Sequence, residues 1–548
     1  MVMSVSIGKG TGFVILLWLL RRLYRLRYVR SSLDNIPGPP STSLWKGNIG
    51  SLFHRHAWEY HDELMQKYGA VVRFNGLFNS RALYVYDPLA LQHIVVRDQN
   101  VFEEPYWFVA SNHVIFGPSL LATLGDHHRK QRKLLNPVFS IAHLRQVTPI
   151  FYQTITRLRS ALEVRVTDSS VEIDMLHWMN RTALELVGQG GLGHSFDPLT
   201  EDIHHEFGEA IKELVPTAWA LTPFRMLMPI LGKLGPSRFR RWLAERWPNP
   251  HVKKALHIID TLERTSREIF YSKKIALEKG DEAVVHQVGE GKDIMSILLK
   301  ANMEVSSEER LSEEELVAQM STMCFAATDT TSTALARTLH LLSQHPEVQD
   351  KLREEIIDAR HGSNISYDQL IELPYLDAVC RETLRVYPPS NLAAREAHQD
   401  AVLPLSNPIT GIDGTVSNEI VVPNGTYIMV AIRACNRNKA IWGDDADEWK
   451  PERWLSPLPE SVVKAKIPGV YAHQMTFLGG GRACIGFKFS QLEMKVVLSV
   501  LLESFKFSLG QKDITWNFAS PAYPTVGKIS TKASLPLNVQ RVHVAGST

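Results

Sequence analysis

The segment Phe477-Leu478-Gly479-Gly480-Gly481-Arg482-Ala483-Cys484-Ile485-Gly486 restricts the fold more than any other stretch of this 548-residue chain. Three successive glycines let a loop pass close to a planar ligand without Cβ clashes. The cysteine follows at once, and behind it the apolar spacing of a helix runs from about Ile485 to Phe505. Free backbone N–H groups and the positive end of the dipole at such a helix start favour a thiolate. Phe477, seven positions before Cys484, is placed to shield the sulfur from water, and Arg482 is a cation suited to a ligand carboxylate. A structural cysteine in a glycine-rich turn is the ordinary alternative. Five specified residues at fixed spacing, F-x-x-G-x-R-x-C-x-G, argue against it for Cys484. Cys324, Cys380 and Cys435 read as core cysteines, and four cysteines without a C-x-x-C pair exclude a disulfide scaffold and a structural zinc site.

Around that loop the chain reads as mainly α with small β-sheets, an α+β body. Residues 56–68 have helical spacing, Val71–Phe74 and Ala82–Tyr86 have the pattern of a β-hairpin, and Asp87-Pro88 opens another helix. From about residue 125 to 390 the pattern is helical; short strands and proline-rich turns follow to Gly480. The longest helix starts at Ser312, with Glu315 completing a capping box, and ends before Pro346. About 30 residues make roughly 45 Å of helix, enough to cross a domain. Its middle, Phe325-Ala326-Ala327-Thr328-Asp329-Thr330-Thr331-Ser332, joins small residues that leave a bare patch to an acid and β-branched hydroxyls, which are poor helix fillers. A polar seam packed on neighbouring helices would read the same way. Residues 279–292 (KGDEAVVHQVGEGK) look like a loose surface insert.

Hydrophobic residues at 44% and charged residues at 22% are the balance of a folded body. With 60 basic and 58 acidic residues nothing global suggests a polyanion partner. One local excess stands out: RRLYRLRYVR at 21–30, behind the apolar run GFVILLWLL at 12–20. That run is far shorter than the roughly 20 residues that span a bilayer. Arginines rather than small residues follow it, which speaks against a cleaved signal peptide. Residues 1–35 are therefore read as a short or monotopic anchor held to the cytosolic face, with a disordered basic tail as the alternative. Ile36-Pro37-Gly38-Pro39-Pro40 cannot continue a helix, so the body is taken as 36–548. The sequons at Asn180, Asn364 and Asn424 are expected bare on the cytosolic side.

The cysteine loop resembles the haem-binding loop of the cytochrome P-450 superfamily, and the resemblance runs through residues 36–548. Ala326-Ala327-Thr328-Asp329-Thr330-Thr331 is similar to the family's oxygen-activating motif, with Ala327 where a glycine is usual. Glu382-x-x-Arg385 resembles the family's E-x-x-R pair, and Arg453 in Trp449-Lys450-Pro451-Glu452-Arg453-Trp454 resembles the arginine that completes that ion network. The resemblance implies a P-450 fold with haem b between the long central helix and the loop, its iron ligated by Cys484. Arg132, Arg395 and Arg482 take the positions of propionate partners. His128 stands where the family commonly has Trp and could donate to the second propionate. Phe477, Gly486 and Ala326 would border the haem. Glu382, Arg385 and Arg453 would form a structural lock, with no part in the chemistry.

The implied reaction inserts one atom of O2 into a C–H or C=C bond and reduces the other to water. Thr330 would stand beside the oxygen and Asp329 would link its water chain to solvent. Variable contact regions of the family fall on Trp107, Phe108, Phe116, Phe325, Leu392 and Ala522, an apolar set suited to a hydrophobic small molecule. Fungal microsomal members, which the chain resembles in style, act on terpenoids, sterols or aromatic hydrocarbons at the endoplasmic reticulum membrane. The body leaves no stretch for a flavin or nicotinamide domain, so electrons are expected from a separate NADPH reductase, with cytochrome b5 as a further donor. Arg129, Lys130, Lys133, Lys488 and Lys495 are a candidate docking face. A haem-thiolate isomerase or dehydratase acting on a peroxide is the second enzymatic reading, and Asp329 and Thr330 speak against it. A haem sensor or membrane scaffold without turnover is the third.

Overall fold

A computed structural model describes residues 30–166, 169–200, 205–280, 291–360 and 363–542. The apolar run at 12–20, the basic stretch before Arg30 and residues 281–290 of the presumed surface insert lie outside the described residues. The chain forms two compact units. Among the described residues, the first takes those within 30–103, 392–443 and 460–482; the second takes those within 104–391, 444–459 and 483–542.

The first unit is built on a five-stranded sheet of β1 (Val71–Asn75), β2 (Arg81–Val85), β3 (Phe102–Glu103), β4 (Ala393–Ala397) and β5 (Tyr427–Val430), in spatial order β1-β2-β5-β4-β3. The expected hairpin is present, with Val71 opposite Val85 in an antiparallel pair. β2 also pairs with β5, in parallel, Ala82 beside Tyr427. Its residues Ala82 to Val85 are all buried, the continuous apolar run of a strand covered on both faces. Asp87 caps the helix Pro88–Gln92 as its sequence predicts, accepting from the Ala90 N–H at 3.0 Å. Residues 31–35, assigned to the anchor from sequence, belong to this unit. Leu33 is buried, Asp34 accepts from the Arg81 Nη2 at 3.0 Å, and Asn35 donates to Thr415 at 2.9 Å.

The second unit is helical, and seven helices matter for the site: α1 (Tyr106–Phe116), α2 (Gly125–Leu135), α3 (Glu206–Ala220), α4 (Thr222–Met226), α5 (Glu313–Gln344), α6 (Pro374–Val386) and α7 (Phe487–Ser504). α5 is the long helix read from sequence, with its bounds as predicted. The Ser312 hydroxyl accepts from the Glu315 N–H at 3.2 Å, and the Glu315 carboxylate accepts from the Ser312 N–H at 2.8 Å. Glu315 also ties α5 to α2, through Gln131 at 3.0 Å and His127 at 2.8 Å. Every residue from Thr331 to Ser343 is buried, so this half of α5 is the core of the unit. Each of its leucines removed from water stabilises the fold by about 1.5–3 kcal/mol.

Two features depart from the expected pattern. Val171–Asp174, inside the stretch read as overwhelmingly helical, is an edge strand paired with Pro536–Arg541, which pairs in turn with Phe505–Leu509. Four residues are too short for a period-2 signal to show against helical neighbours. The string Gly188-Gln189-Gly190-Gly191-Leu192-Gly193 has the G-x-G-x-x-G spacing of a dinucleotide loop, a correction to the reading that the body holds no such motif. It follows helix Met175–Leu186 and lies in a π-helical turn that ends at left-handed Gly193, whereas a phosphate loop follows a strand and opens a helix. A Cβ on Gly188 would fall 2.7 Å from Phe196 and one on Gly190 2.6 Å from Phe151, so two of these glycines are required by packing.

Candidate functional site

The glycines of the cysteine loop divide into two kinds. In the first unit, a Cβ on Gly479 would lie 1.8 Å from the Pro468 carbonyl oxygen. One on Gly480, at φ +67°, would lie 1.8 Å from that of Val95. The Gly481 N–H donates to Gln99 Oε1 at 2.7 Å. The chain's own backbone therefore demands Gly479 and Gly480, a correction to the view that all three glycines make way for a ligand. Gly486, in the second unit, is different. It is the N-cap of α7, and a Cβ there would meet only Phe139, at 3.8 Å. No neighbour in its own unit requires the absence of a side chain.

Cys324, Cys380 and Cys435 are buried and Cys484 is exposed. The thiol of Cys484 nonetheless has protein on most sides, and that surrounding pushes its pKa up, while the Gly486 N–H and the Arg132 charge oppose the shift. Arg132 Nη1 donates to the Ala483 carbonyl oxygen at 2.5 Å, which fixes its guanidinium one residue from the cysteine. His128 lies one turn earlier on α2 and is buried. These three expected residues are brought together within the second unit. Arg395 on β4 is buried in the first unit and donates to the Ala394 carbonyl at 2.7 Å. Phe477 is half-buried there with its ring edge-on to Tyr471 at 5.6 Å, and Arg482 ends the short 3-10 turn Gly480–Arg482.

The middle of α5 opens on one side. Ala326 is exposed, and Met323, Ala327 and Thr330, which share its helical face, are half-buried, although the helix C-terminal to them is enclosed. Thr330 Oγ1 donates to the Ala326 carbonyl at 2.7 Å, which leaves its lone pairs as acceptors on that face. Burial pushes the Asp329 carboxyl up to about 7, opposed only by the charge of Lys212 on α3. Phe325 packs on Phe116 at 5.2 Å between ring centroids. Trp107 and Phe108, on the first turn of α1, meet edge-on at 6.0 Å. Ala522 is buried, and its N–H donates to the Pro389 carbonyl at 3.0 Å. Leu392 is half-buried at the start of the first unit's second segment.

The expected ion network is complete in the second unit. Arg385 grips Glu382 with two N–H groups at 2.7 and 2.8 Å, and both side chains are fully buried. Arg453 reaches Glu382 at 3.3 Å and Asp445 at 3.0 Å. Trp454 Nε1 donates to Glu382 at 2.9 Å, and Trp449 Nε1 to Thr383 at 3.1 Å, partners that sequence reading missed although both flank Arg453. Arg385 Nη1 also holds the Ala446 carbonyl at 2.7 Å. Every acceptor position of the glutamate is thus used, the condition under which a buried charge is tolerated.

The expected docking face loses one member. Lys495 is fully buried, donating to Asp377 at 2.8 Å and to the Ile371 carbonyl at 3.0 Å. Lys133 pairs with Glu309 at 2.8 Å and Lys130 donates to the Glu308 carbonyl at 2.7 Å, so their charge is partly spent within the unit.

A cysteine exposed at a helix N-terminus, a glycine beside it that its own unit does not need, and a long helix whose middle opens at Ala326 fit a flat cofactor held through a thiolate. That combination defines a haem-thiolate oxygenase. The Cytochrome P-450 family profile matches residues 37–533. Cytochrome P-450 monooxygenases 91 and 81 of Postia placenta are both 54% identical to this chain, over 96% of it and 97% of the first, and over 97% of it and 97% of the second. A ganoderic acid synthetase of Ganoderma lucidum is 47% identical over 98% of each chain. The chain belongs to the cytochrome P-450 family, and is accordingly a haem-dependent monooxygenase whose fold class is the expected α+β one. No described helix is long and apolar enough to cross a membrane.

Proposed function

We propose that the chain inserts one atom of O2 into a C–H or C=C bond of a hydrophobic small molecule of the terpenoid, sterol or aromatic class. Its electrons come from a separate NADPH reductase, with cytochrome b5 as a further donor. The residues before Ser31 anchor it at the endoplasmic reticulum membrane, and the body that follows lies on the cytosolic face. The observation that carries the reading is the exposed Cys484 at the start of α7, in the same unit as the open face of α5 that bears Ala326, Asp329 and Thr330.

Cys484 would hold the haem iron through its thiolate, with Phe477 as the residue that would keep water from the sulfur. Haem held by a cysteine thiolate supplies the activation of dioxygen. Arg132, His128, Arg395 and Arg482 would neutralise and hydrogen-bond its propionates, and Gly486 and Ala326 would leave the macrocycle room. The Thr330 hydroxyl, committed as donor to the Ala326 carbonyl, accepts a hydrogen bond from a water and so orients it. Asp329, with a pKa near neutrality, takes a proton from solvent and passes it to that water. Trp107, Phe108, Phe116, Phe325, Leu392 and Ala522 exclude bulk water and orient an apolar substrate. Isomerisation or dehydration of a peroxide needs no such acid–alcohol pair, which makes that reading the weaker.

The test is the carbon monoxide difference spectrum of the reduced protein. A strongly red-shifted Soret band that Cys484→Ser removes, and that Cys324→Ser, Cys380→Ser and Cys435→Ser keep, is expected. Well-folded protein without any haem band would overturn the reading. For substrates, the name of the Ganoderma lucidum relative attaches that protein to an acid, so acids belong in a screen of hydrophobic compounds beside neutral ones.

A further inference from the structure

Arg225 on α4 is a half-buried guanidinium without an acidic partner among the described residues. Its Nε and Nη2 both donate to the Ser111 hydroxyl on α1 at 3.3 Å, and its charge stands over the Trp107 ring at 5.5 Å. Ser111 is itself engaged, donating to the Phe108 carbonyl at 3.0 Å, so it acts toward Arg225 as a neutral acceptor only. Nη1 has no partner among the described residues. Burial lowers the Arg225 pKa with no carboxylate to offset it. Three buried arginines of this unit contrast with it, while a fourth, Arg337, lies over the Tyr387 and Trp516 rings. Arg181 is held by Asp197 at 2.6 Å, Arg353 by Asp350 at 2.5 Å and Arg385 by Glu382 at 2.7 Å.

A guanidinium taken partly out of water without a counter-ion is destabilising, and such a group is strongly favoured to bind a carboxylate through paired N–H groups. Its position suits a substrate. α1 carries Trp107 on its first turn, Ser111 at its middle and Phe116 at its end, where Phe116 packs on Phe325 beside the exposed Ala326. Five residues separate Ser111 from Phe116, a rise of about 7.5 Å along the helix. A molecule with its charged end at Arg225 and an apolar body along α1 is led past Phe116 toward the open face of α5. We propose that Arg225 is a substrate-positioning residue that holds the carboxylate of an amphipathic acid and presents a carbon remote from that group for oxidation. Trp107 is the platform beneath the ion pair. The proposal rests on the monooxygenase reading above and specifies its substrate as an acid.

The experiment is equilibrium dialysis of the purified full chain against two matched pairs of probes: hexadecanoic acid with methyl hexadecanoate, and oleanolic acid with methyl oleanolate. In at least one pair the acid is expected to bind ten-fold or more tightly than its ester. Arg225→Gln should reduce that preference to two-fold or less and leave the affinity for the ester unchanged, while Arg225→Lys should keep a preference of three-fold or more. An ester affinity that holds steady shows that the variant is intact. No preference for the acid in either pair, whether from equal binding or from no binding, overturns the proposal without any variant; so does a preference that survives Arg225→Gln. Dialysis does not depend on the haem band, so loss of acid preference with a normal carbon monoxide spectrum leaves the oxygenase reading standing, and the converse separates the two the other way.

Discussion

Asp329 is held near neutrality by desolvation, and its neighbour Lys212 offsets only part of that. In the unfolded chain its pKa is 3.8 and in the native one about 7, so the native state keeps a proton that the unfolded state has lost. The stabilisation is full below pH 3.8 and is lost as the pH rises toward 7. Asp329→Asn should therefore flatten the fall in stability between pH 5 and pH 7.5, read by urea unfolding at the two values. The same substitution should lower turnover and remove the inflection near pH 7 from the rate profile, with the carbon monoxide spectrum unchanged. Thr330→Ala should divert reducing equivalents to hydrogen peroxide, measured as peroxide formed per NADPH consumed; unchanged coupling would count against the hydroxyl's place in the proton path. Cys484, Asp329 and Thr330 were legible in the sequence because each sits in a short contiguous motif whose spacing is set by one loop or one helix. Lys212 and Arg225 were not, since each acts on a residue of another helix and nothing local marks the approach.

At the scale of elements, α5 was readable to its caps because Ser312, Glu315 and Pro346 are local signals. Ser312→Ala should lower stability by about 1 kcal/mol in denaturant unfolding. α7 was readable in extent but not in environment. Glu493 and Lys495 are charges that a helix normally leaves in solvent, yet both are buried: Lys495 is neutralised by Asp377, and burial drives the Glu493 carboxyl well above the carboxylate range with only the Thr331 hydroxyl to offset it. Periodicity reports how apolar a face is and cannot report a counter-charge supplied by another helix. The E-x-x-R pair was found by motif, but Trp454 as a third donor to Glu382 needed coordinates. Glu382→Gln leaves buried Arg385 without its anion and Arg453 with Asp445 alone, and should cost about 3–5 kcal/mol, seen as a lower unfolding midpoint and loss of the haem band on mild heating.

For the whole molecule, the α+β class followed from the alternation of patterns along the chain, whereas the division into two units did not, because each unit is assembled from three separated segments. Residues 31–35 belong to the first of them, so a chain starting at Ser31 should fold and show an unchanged carbon monoxide spectrum, yet leave the membrane pellet on fractionation. A start at Pro37 removes buried Leu33 and the Asp34–Arg81 pair and should give a less stable protein. The segmented build also sets a timetable for synthesis. Val85 on β2 is made about 345 residues before its parallel partner Val430 on β5. At about 5–20 residues per second the ribosome leaves that strand's inner edge uncovered for roughly 20–70 s. Throughout that interval an apolar edge is open to other nascent chains, so yield in a foreign host should depend on chaperone supply and on the pace of translation through the helical segment in between.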